Sequence, residues 1–221
     1  MARGDGPTLP LGAQLHRTLR EWIITGRLAQ GTVLYEQRLA EELNVSRVPV
    51  REAMPLLAHE GFVEVTPRRS SVVATWSQRR VHDVFDTRLG LEVAAAGLAA
   101  RRVRAGGTLE ELEAAVARAE AHLEAAGHEP LVQAEANGAI HLALVAAAGN
   151  ELMDSVMRAV GGRMTWLFYL TSSRDLHAQG DEHAAILAAL RDGNDRLAEA
   201  LTFAHIEAGR APTLEVLADQ A

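Results

Sequence analysis

EQRLAEELNVSRVPVREAMPLLAHEGFVEVTPRR, residues 36–69, is the stretch on which the fold turns. Leu39, Ala40 and Leu43 recur at helical spacing, and Asn44 follows where a tight turn needs a residue that tolerates positive φ. Ser46 stands at the N-cap position of a second helix whose apolar face carries Val50, Ala53, Met54 and Leu57, and Gly61 ends it. Phe62–Thr66 alternates β-forming residues, residues 67–70 turn, and Ser71–Thr75 alternates again, which predicts a small hairpin. Helix, tight turn, capped helix and hairpin, in that order, describe a winged helix-turn-helix.

In such a unit the second helix enters the major groove of double-stranded DNA by its N-terminal residues. Its first turn here reads Ser46-Arg47-Val48-Pro49-Val50-Arg51, and Arg47 and Arg51, at i and i+4, project from one face. Pro49 is tolerated there, because an N–H in the first turn has no intrahelical acceptor. Arg68 and Arg69 fall at the hairpin tip, within reach of an adjacent minor groove or its phosphates. Pro55 lies deeper in the helix and removes the N–H that would bond to the Arg51 carbonyl. A bend is expected there, at about 3 kcal/mol if nothing compensates.

Outward from this stretch, residues 1–10 are rich in Gly and Pro and read as a flexible arm. Leu15, Leu19, Trp22 and Ile23 mark a helix over 11–25. Beyond Trp76 no strand pattern returns. Six helical segments follow, near 78–104, 108–126, 130–148, 150–173, 177–192 and 194–210, separated by Gly106-Gly107, Gly127, Gly149-Asn150, Ser172-Ser173 and Gly193-Asn194. Ile186, Leu187 and Leu190, then Leu197 and Leu201, give the last two segments their inward faces. The fold expected is mainly α: a winged helix-turn-helix over 11–76, an antiparallel helical bundle over 77–212, and a tail at 213–221.

Composition agrees with two packed domains. The chain has 221 residues, 48% of them apolar, and no cysteine, which excludes disulfides and thiolate metal sites. No segment is long and apolar enough to span a bilayer, so no membrane partner and a cytoplasmic location are expected. The net charge of −7 is unevenly distributed. Residues 1–75 hold nine Arg against eight acidic residues, and the rest hold thirteen Arg against twenty-one, so the acidity lies away from the DNA-reading part.

Among nine histidines, His141, His183 and His205 stand apart. Each shares a helical face with apolar neighbours, and they come from three separate segments, all directed at the bundle interior. A buried neutral imidazole needs partners for both nitrogens. A divalent ion such as zinc or nickel would supply them, and so would hydrogen bonds within the core. Asn137, one turn before His141, offers an oxygen ligand to the same centre. Arg88, Arg158 and Arg163 are candidates to hold an anionic effector, although Arg88 is equally placed to pair with Glu92 at i+4. A three-histidine centre also admits a metalloenzyme, but no acid–base partner stands in an H-E-x-x-H relation, and a DNA reader is foreign to an enzyme. A helical interaction module with structural histidines is the other alternative.

The pattern G-x-L-x-x-G-x-x-L-x-E-x-x-L-A-x-x-L-x-V-S-R-x-P-V-R-E-A runs almost unbroken from Gly26 to Ala53, and on it residues 10–75 resemble the DNA-binding domain of the GntR family. The resemblance implies that Ser46, Arg47, Val48 and Arg51 occupy DNA-contact positions, with Gln37 or Arg38 on the preceding helix. Val48 stands where Thr is usual and Ser70 where the wing tip usually has Gly. Asp83-x4-Arg88-x3-Glu92, Asn137-x3-His141-x7-Gly149-Asn150, Glu182-His183 and His205 resemble the FCD ligand-binding domain of the FadR type, in its shorter, VanR-like six-helix form. That likeness implies a ligand-binding regulator, commonly a repressor, and not an enzyme, with a metal at Asn137, His141, His183 and His205; the mechanism expected is a homodimer on operator DNA, and the effector expected from the ligand set is a small organic acid. Asn137 replaces the Asp of metal-binding members, so all four ligands are neutral and a bound ion keeps its full charge toward a carboxylate.

Overall fold

The computed structural model describes residues 10–65, 70–124, 129–172 and 176–218. The chain divides between Thr75 and Trp76 into two compact units.

The first unit holds α1 (Leu11–Ile24), β1 (Val33–Leu34), α2 (Glu36–Glu42), α3 (Arg47–His59), β2 (Val63–Glu64) and β3 (Ser71–Val73). Its core is Leu19, Ile23, Val50, Ala53, Leu57 and Phe62, where α1 lies across α3. Trp22 stays at the rim with Arg27 3.6 Å over its ring. Asn44 is the one described non-glycine residue with positive φ, 53°. That conformation lets the Val45 N–H return to the Ala40 carbonyl at 2.9 Å, closing α2 and turning the chain into α3. Ser46 occupies the N-cap of α3, but its hydroxyl makes no capping bond. Pro55 does not interrupt α3, which remains helical to His59.

The wing is larger than the hairpin expected. β3 pairs antiparallel with β2, Val63 opposite Val73, and on its other edge with β1, Val33 opposite Val72. The sheet therefore has the order β1-β3-β2, and β1 comes from a stretch with no strand signal of its own. Arg68 and Arg69 lie outside the described residues.

The second unit is all helix: α4 (Gln78–Arg104), α5 (Glu110–Glu124), α6 (Pro130–Ala147), α7 (Glu151–Leu170), α8 (Leu176–Arg191) and α9 (Asp195–Ala218). α6 packs against α4, α5 and α7, and α9 against α4 and α8. One apolar cluster joins α4, α5, α6, α8 and α9 around Leu112, Leu144, Leu187 and Leu190. A second joins α4, α6, α7 and α9 around Phe85, Met157, Met164 and Ile206.

Two expectations fail on α9. Residues 213–218 are helix, not tail, and Thr213 is buried; α9 passes through Pro212 without breaking. Leu197 faces outward at 43% exposure, and the inward face is instead Ala198, Thr202, His205, Ile206 and Gly209. Ala198, Thr202 and Gly209 let that face lie against α4, and the Glu199 side chain covers Gly97 of α4. None of the described helices is long and apolar enough to cross a membrane.

Replacing Asn44 with Ala puts a Cβ without a compensating amide into the left-handed region and is expected to lower stability by about 1 kcal/mol. Asn44→Gly should leave stability unchanged or raise it, and urea denaturation of both variants measures the difference.

Candidate metal centre and nucleic-acid interface

The outer surface of α3 is arranged as a face for contact. Pro49, Val50 and Ala53 turn inward, which leaves Arg47, Val48 and Arg51 exposed, Val48 by 50%. Neither arginine has a side-chain partner among the described residues, whereas Arg27 is tied to Glu42 at 2.7 Å. On α2, Gln37 and Arg38 are also exposed; Gln37 donates to Glu41, and Arg38 lies 5.1 Å from the Tyr35 ring. Ser46 is exposed beside them.

In the helical unit, α6 brings in His141, α8 His183 and α9 His205, and all three are buried. One nitrogen from each can be chosen so that the three lie within 4.8 Å of one another. The ring centroids are 4.5 Å apart for His183 and His205 and 5.3 Å apart for each pair with His141. Two carboxylates orient the rings. His141 Nδ1 lies 2.8 Å from Glu92 Oε2, and His205 Nδ1 lies 2.6 Å from Glu182 Oε2. An imidazole whose Nδ1–H is held by a carboxylate presents Nε2 as a lone-pair donor, the usual support for a metal-bound histidine. His183 Nε2 and Asn137 Oδ1 are buried with no hydrogen-bond partner at all. Orphaned buried acceptors are uncommon, and both residues line one small cavity, where a cation or a donor would satisfy them.

Arg88 is inside the bundle, 3% exposed. Its Nε donates to Glu92 Oε1 at 2.6 Å, and its Nη2 lies 3.1 and 3.2 Å from the two ring nitrogens of His141. The i,i+4 pair considered from the sequence is thus formed, but as a buried pair built into the histidine centre. Arg158 and Arg163 are elsewhere. Arg158 is 66% exposed and pairs with Asp154, while Arg163 donates to the Ala159 carbonyl of its own helix, and neither lines the cavities near the histidines.

The electrostatics favour neutral rings. Burial pushes His141 down to about 4, with Arg88 and His205 adding to the effect and Glu92 opposing it. Burial likewise takes His183 well below its usual range, assisted by its two histidine neighbours and Arg88. Burial alone would raise Glu92, but Arg88 and His141 outweigh it and hold the carboxyl at about 2. Near neutral pH His141 and His183 are therefore neutral imidazoles beside a buried ion pair, with His183 Nε2 unpartnered and His141 Nε2 3.2 Å from Arg88 Nη2.

The free space is small. A cavity of about 10 Å³ is enclosed by His141, His183, His205, Glu92 and Thr202 with apolar side chains of α5, α6 and α8. A second, of about 20 Å³, shares His183 and reaches Asn137, Gln133 and Gln179. Sequence reading had Glu92 and Glu182 only as neighbours in a motif, although Glu182 immediately precedes His183, and it missed their grip on His141 and His205.

A winged helix-turn-helix with an exposed arginine face, followed by a helical unit enclosing a polar centre, defines the class of a DNA-binding regulator with a sensory domain. Comparison with known proteins agrees. Residues 11–73 match the bacterial regulatory proteins of the gntR family, and residues 83–208 match the FCD domain. LutR, a transcriptional regulator of Bacillus subtilis (strain 168), is 31% identical over 210 residues, covering 83% of this chain and 92% of that protein. The repressor RspR of Escherichia coli (strain K12) is 38% identical over 97 residues, and that alignment spans 42% of its length. A GntR regulator structure from Rhodococcus sp. RHA1 superposes with a TM-score of 0.74 at 24% identity, covering 92% of this chain and 97% of that one. McbR/YncC of E. coli superposes at 0.67 with 20% identity, covering 97% and 100%; both likenesses show the fold.

The chain belongs to the GntR family of bacterial transcription regulators and carries an FCD domain at its C-terminal side. These families are regulators, which sets the metalloenzyme reading aside.

Folded His141 and His183 are neutral where unfolded histidine takes up protons, so below pH 6.5 the unfolded state binds more protons. With metal removed, stability is fully present above pH 6.5 and is expected to fall as pH drops toward 4, by up to about 1.4 kcal/mol per pH unit for each histidine. Urea midpoints at pH 7, 6 and 5 measure the slope. A flat profile would mean that both rings take up protons in the folded protein as readily as in the unfolded chain.

Proposed function

We propose that this protein is an effector-controlled repressor. Arg47 and Arg51, with Ser46, Val48, Gln37 and Arg38, read the major groove of a double-stranded operator, and Arg68 and Arg69 of the wing touch the adjacent backbone or minor groove. A homodimer presents two such helices to a pseudo-palindromic site. Asn137, His141, His183 and His205 hold a divalent transition metal, zinc or nickel, which supplies a Lewis-acidic position for a small carboxylate. The convergence of three buried imidazoles carries this reading, and Asn137, its buried oxygen without a partner, lines a cavity together with one of them, His183.

The donor set favours an anion. Four neutral ligands leave the ion's +2 charge unreduced within its own ligand set; behind them Arg88 is offset by Glu92, and Glu182 beside His205 takes back only part of the field. A carboxylate entering this field is attracted far more strongly than in water. Repression is supported by the relatives, since RspR and the gluconate operon repressor of B. subtilis are both repressors. Effector control follows from linkage: the carboxylate shifts operator affinity only by the ratio of its affinities for the two states of the dimer.

Gel-shift titration on DNA from upstream of its own coding sequence tests the reader. Arg47→Ala should weaken binding by about fivefold to a hundredfold, because a bidentate base contact contributes about 1–3 kcal/mol, while dimer and metal content stay unchanged. The double variant His141→Ala, His183→Ala should lose bound zinc and all response to organic acids. A normal response from it refutes the metal-centre reading.

Asn137→Asp separates the roles of charge. It should tighten zinc binding and weaken carboxylate binding, both readable by calorimetry, since the new carboxylate neutralises part of the ion's charge. Tighter binding of both ligands would contradict the neutral-ligand argument.

A further inference from the structure

Thr202 lies on the inward face of α9, one turn before His205, and is completely buried. Its Oγ1 has no hydrogen-bond partner. Every other threonine inside a described helix returns its hydroxyl to the carbonyl four residues earlier: Thr18 to Gln14, Thr87 to Asp83, Thr165 to Gly161 and Thr213 to Gly209. That bond is always available to a helical threonine by a χ1 rotation. Thr202 forgoes it and lines the 10 Å³ cavity walled by the three histidines. The carboxylate facing that space, Glu92, is engaged by Arg88 through Oε1 and by His141 through Oε2, and His205 Nδ1 is held by Glu182. The Thr202 hydroxyl and His183 Nε2 are therefore the polar atoms of the cavity without a hydrogen-bond partner among the described residues, and the hydroxyl is the one that remains a donor when His183 turns its lone pair to a metal.

We propose that Thr202 is a ligand-binding residue: its hydroxyl donates to an oxygen of the effector carboxylate while that carboxylate occupies the metal. The inference rests on the metal-and-carboxylate reading above and adds a contact that neither the motif nor the family match marks. An unpaired buried hydroxyl is a standing penalty on the empty protein, relieved when an acceptor arrives, so the contact discriminates between ligand states. The cavity has room for about one water molecule, so the metal and the carboxylate head enter only as the side chains around it move apart. The remainder of the effector then lies on the side of His183 that opens toward Asn137 and Gln133.

The test uses the full chain loaded with cobalt(II), whose visible absorption reports changes among its ligands, and acetate as the probe. Acetate should perturb the wild-type spectrum saturably. Thr202→Val, which keeps the shape and removes the hydroxyl, should weaken acetate binding on the order of tenfold to a hundredfold. Thr202→Ser should restore most of it. Cobalt affinity should be unchanged, and the metal-free Thr202→Val protein should be as stable as wild type or more so, which a merely structural threonine would not allow. If acetate binds wild type and Thr202→Val equally, the assignment of Thr202 is wrong and the metal centre stands. If acetate perturbs neither spectrum, the carboxylate reading falls, and Thr202 with it.

Discussion

Three imidazoles in the middle of an apolar bundle are the constraint around which the helical unit is organised. Taking a polar ring out of water costs free energy unless both its nitrogens find partners, and taking a charged ring costs far more. The fold answers with Glu92 and Glu182 on the Nδ1 side of two rings and with neutral histidines throughout the pair whose burial is deepest. What it leaves open is the converging side, where His183 Nε2, Asn137 Oδ1 and Thr202 Oγ1 all lack partners. A bundle selected for stability alone would replace such groups with Leu or Val, so their retention is the mark of a site.

The placement of Arg88 and Glu92 ties that site to the rest of the chain. Both ride on α4, the helix that follows β3 of the wing after only residues 74–77. Phe168 of α7 packs on the opposite side, 5.5 Å from His141 and 5.3 Å from Arg88, and two residues earlier Trp166 meets Trp76 edge to face at 5.6 Å. Trp76 opens the helical unit, immediately after the reader. The histidine centre and Trp76 thus each pack against a side chain of α7.

Much of this was readable from residues alone, for physical reasons that also explain the errors. Asn44 marks the turn because few side chains accept its conformation, and the glycine breaks mark helix ends for the same reason. His141, His183 and His205 could be placed inward because their apolar neighbours recur at helical spacing. β1 was invisible because two residues carry no periodicity, and it exists only as a partner of β3. The face of α9 was misjudged at Leu197 because large apolar residues normally mark a core, whereas closely packed helices bury Ala, Gly and Thr instead. Arg158 and Arg163 could not be oriented by spacing; Arg158 pairs with Asp154 on its own helix, and Arg163 donates to the Ala159 carbonyl. Thr202 gave no signal at all, since a lone threonine on an apolar face looks like any other until its hydroxyl is found without a bond.

The claim that joins the two units is that operator affinity depends on what occupies the histidine centre. Fluorescence anisotropy of a labelled upstream DNA fragment, with metal-free and zinc-loaded protein titrated with organic acids, addresses it directly. The account predicts that some carboxylate shifts the DNA affinity of the zinc-loaded protein and has no effect on the metal-free protein. An equal shift in both would contradict it.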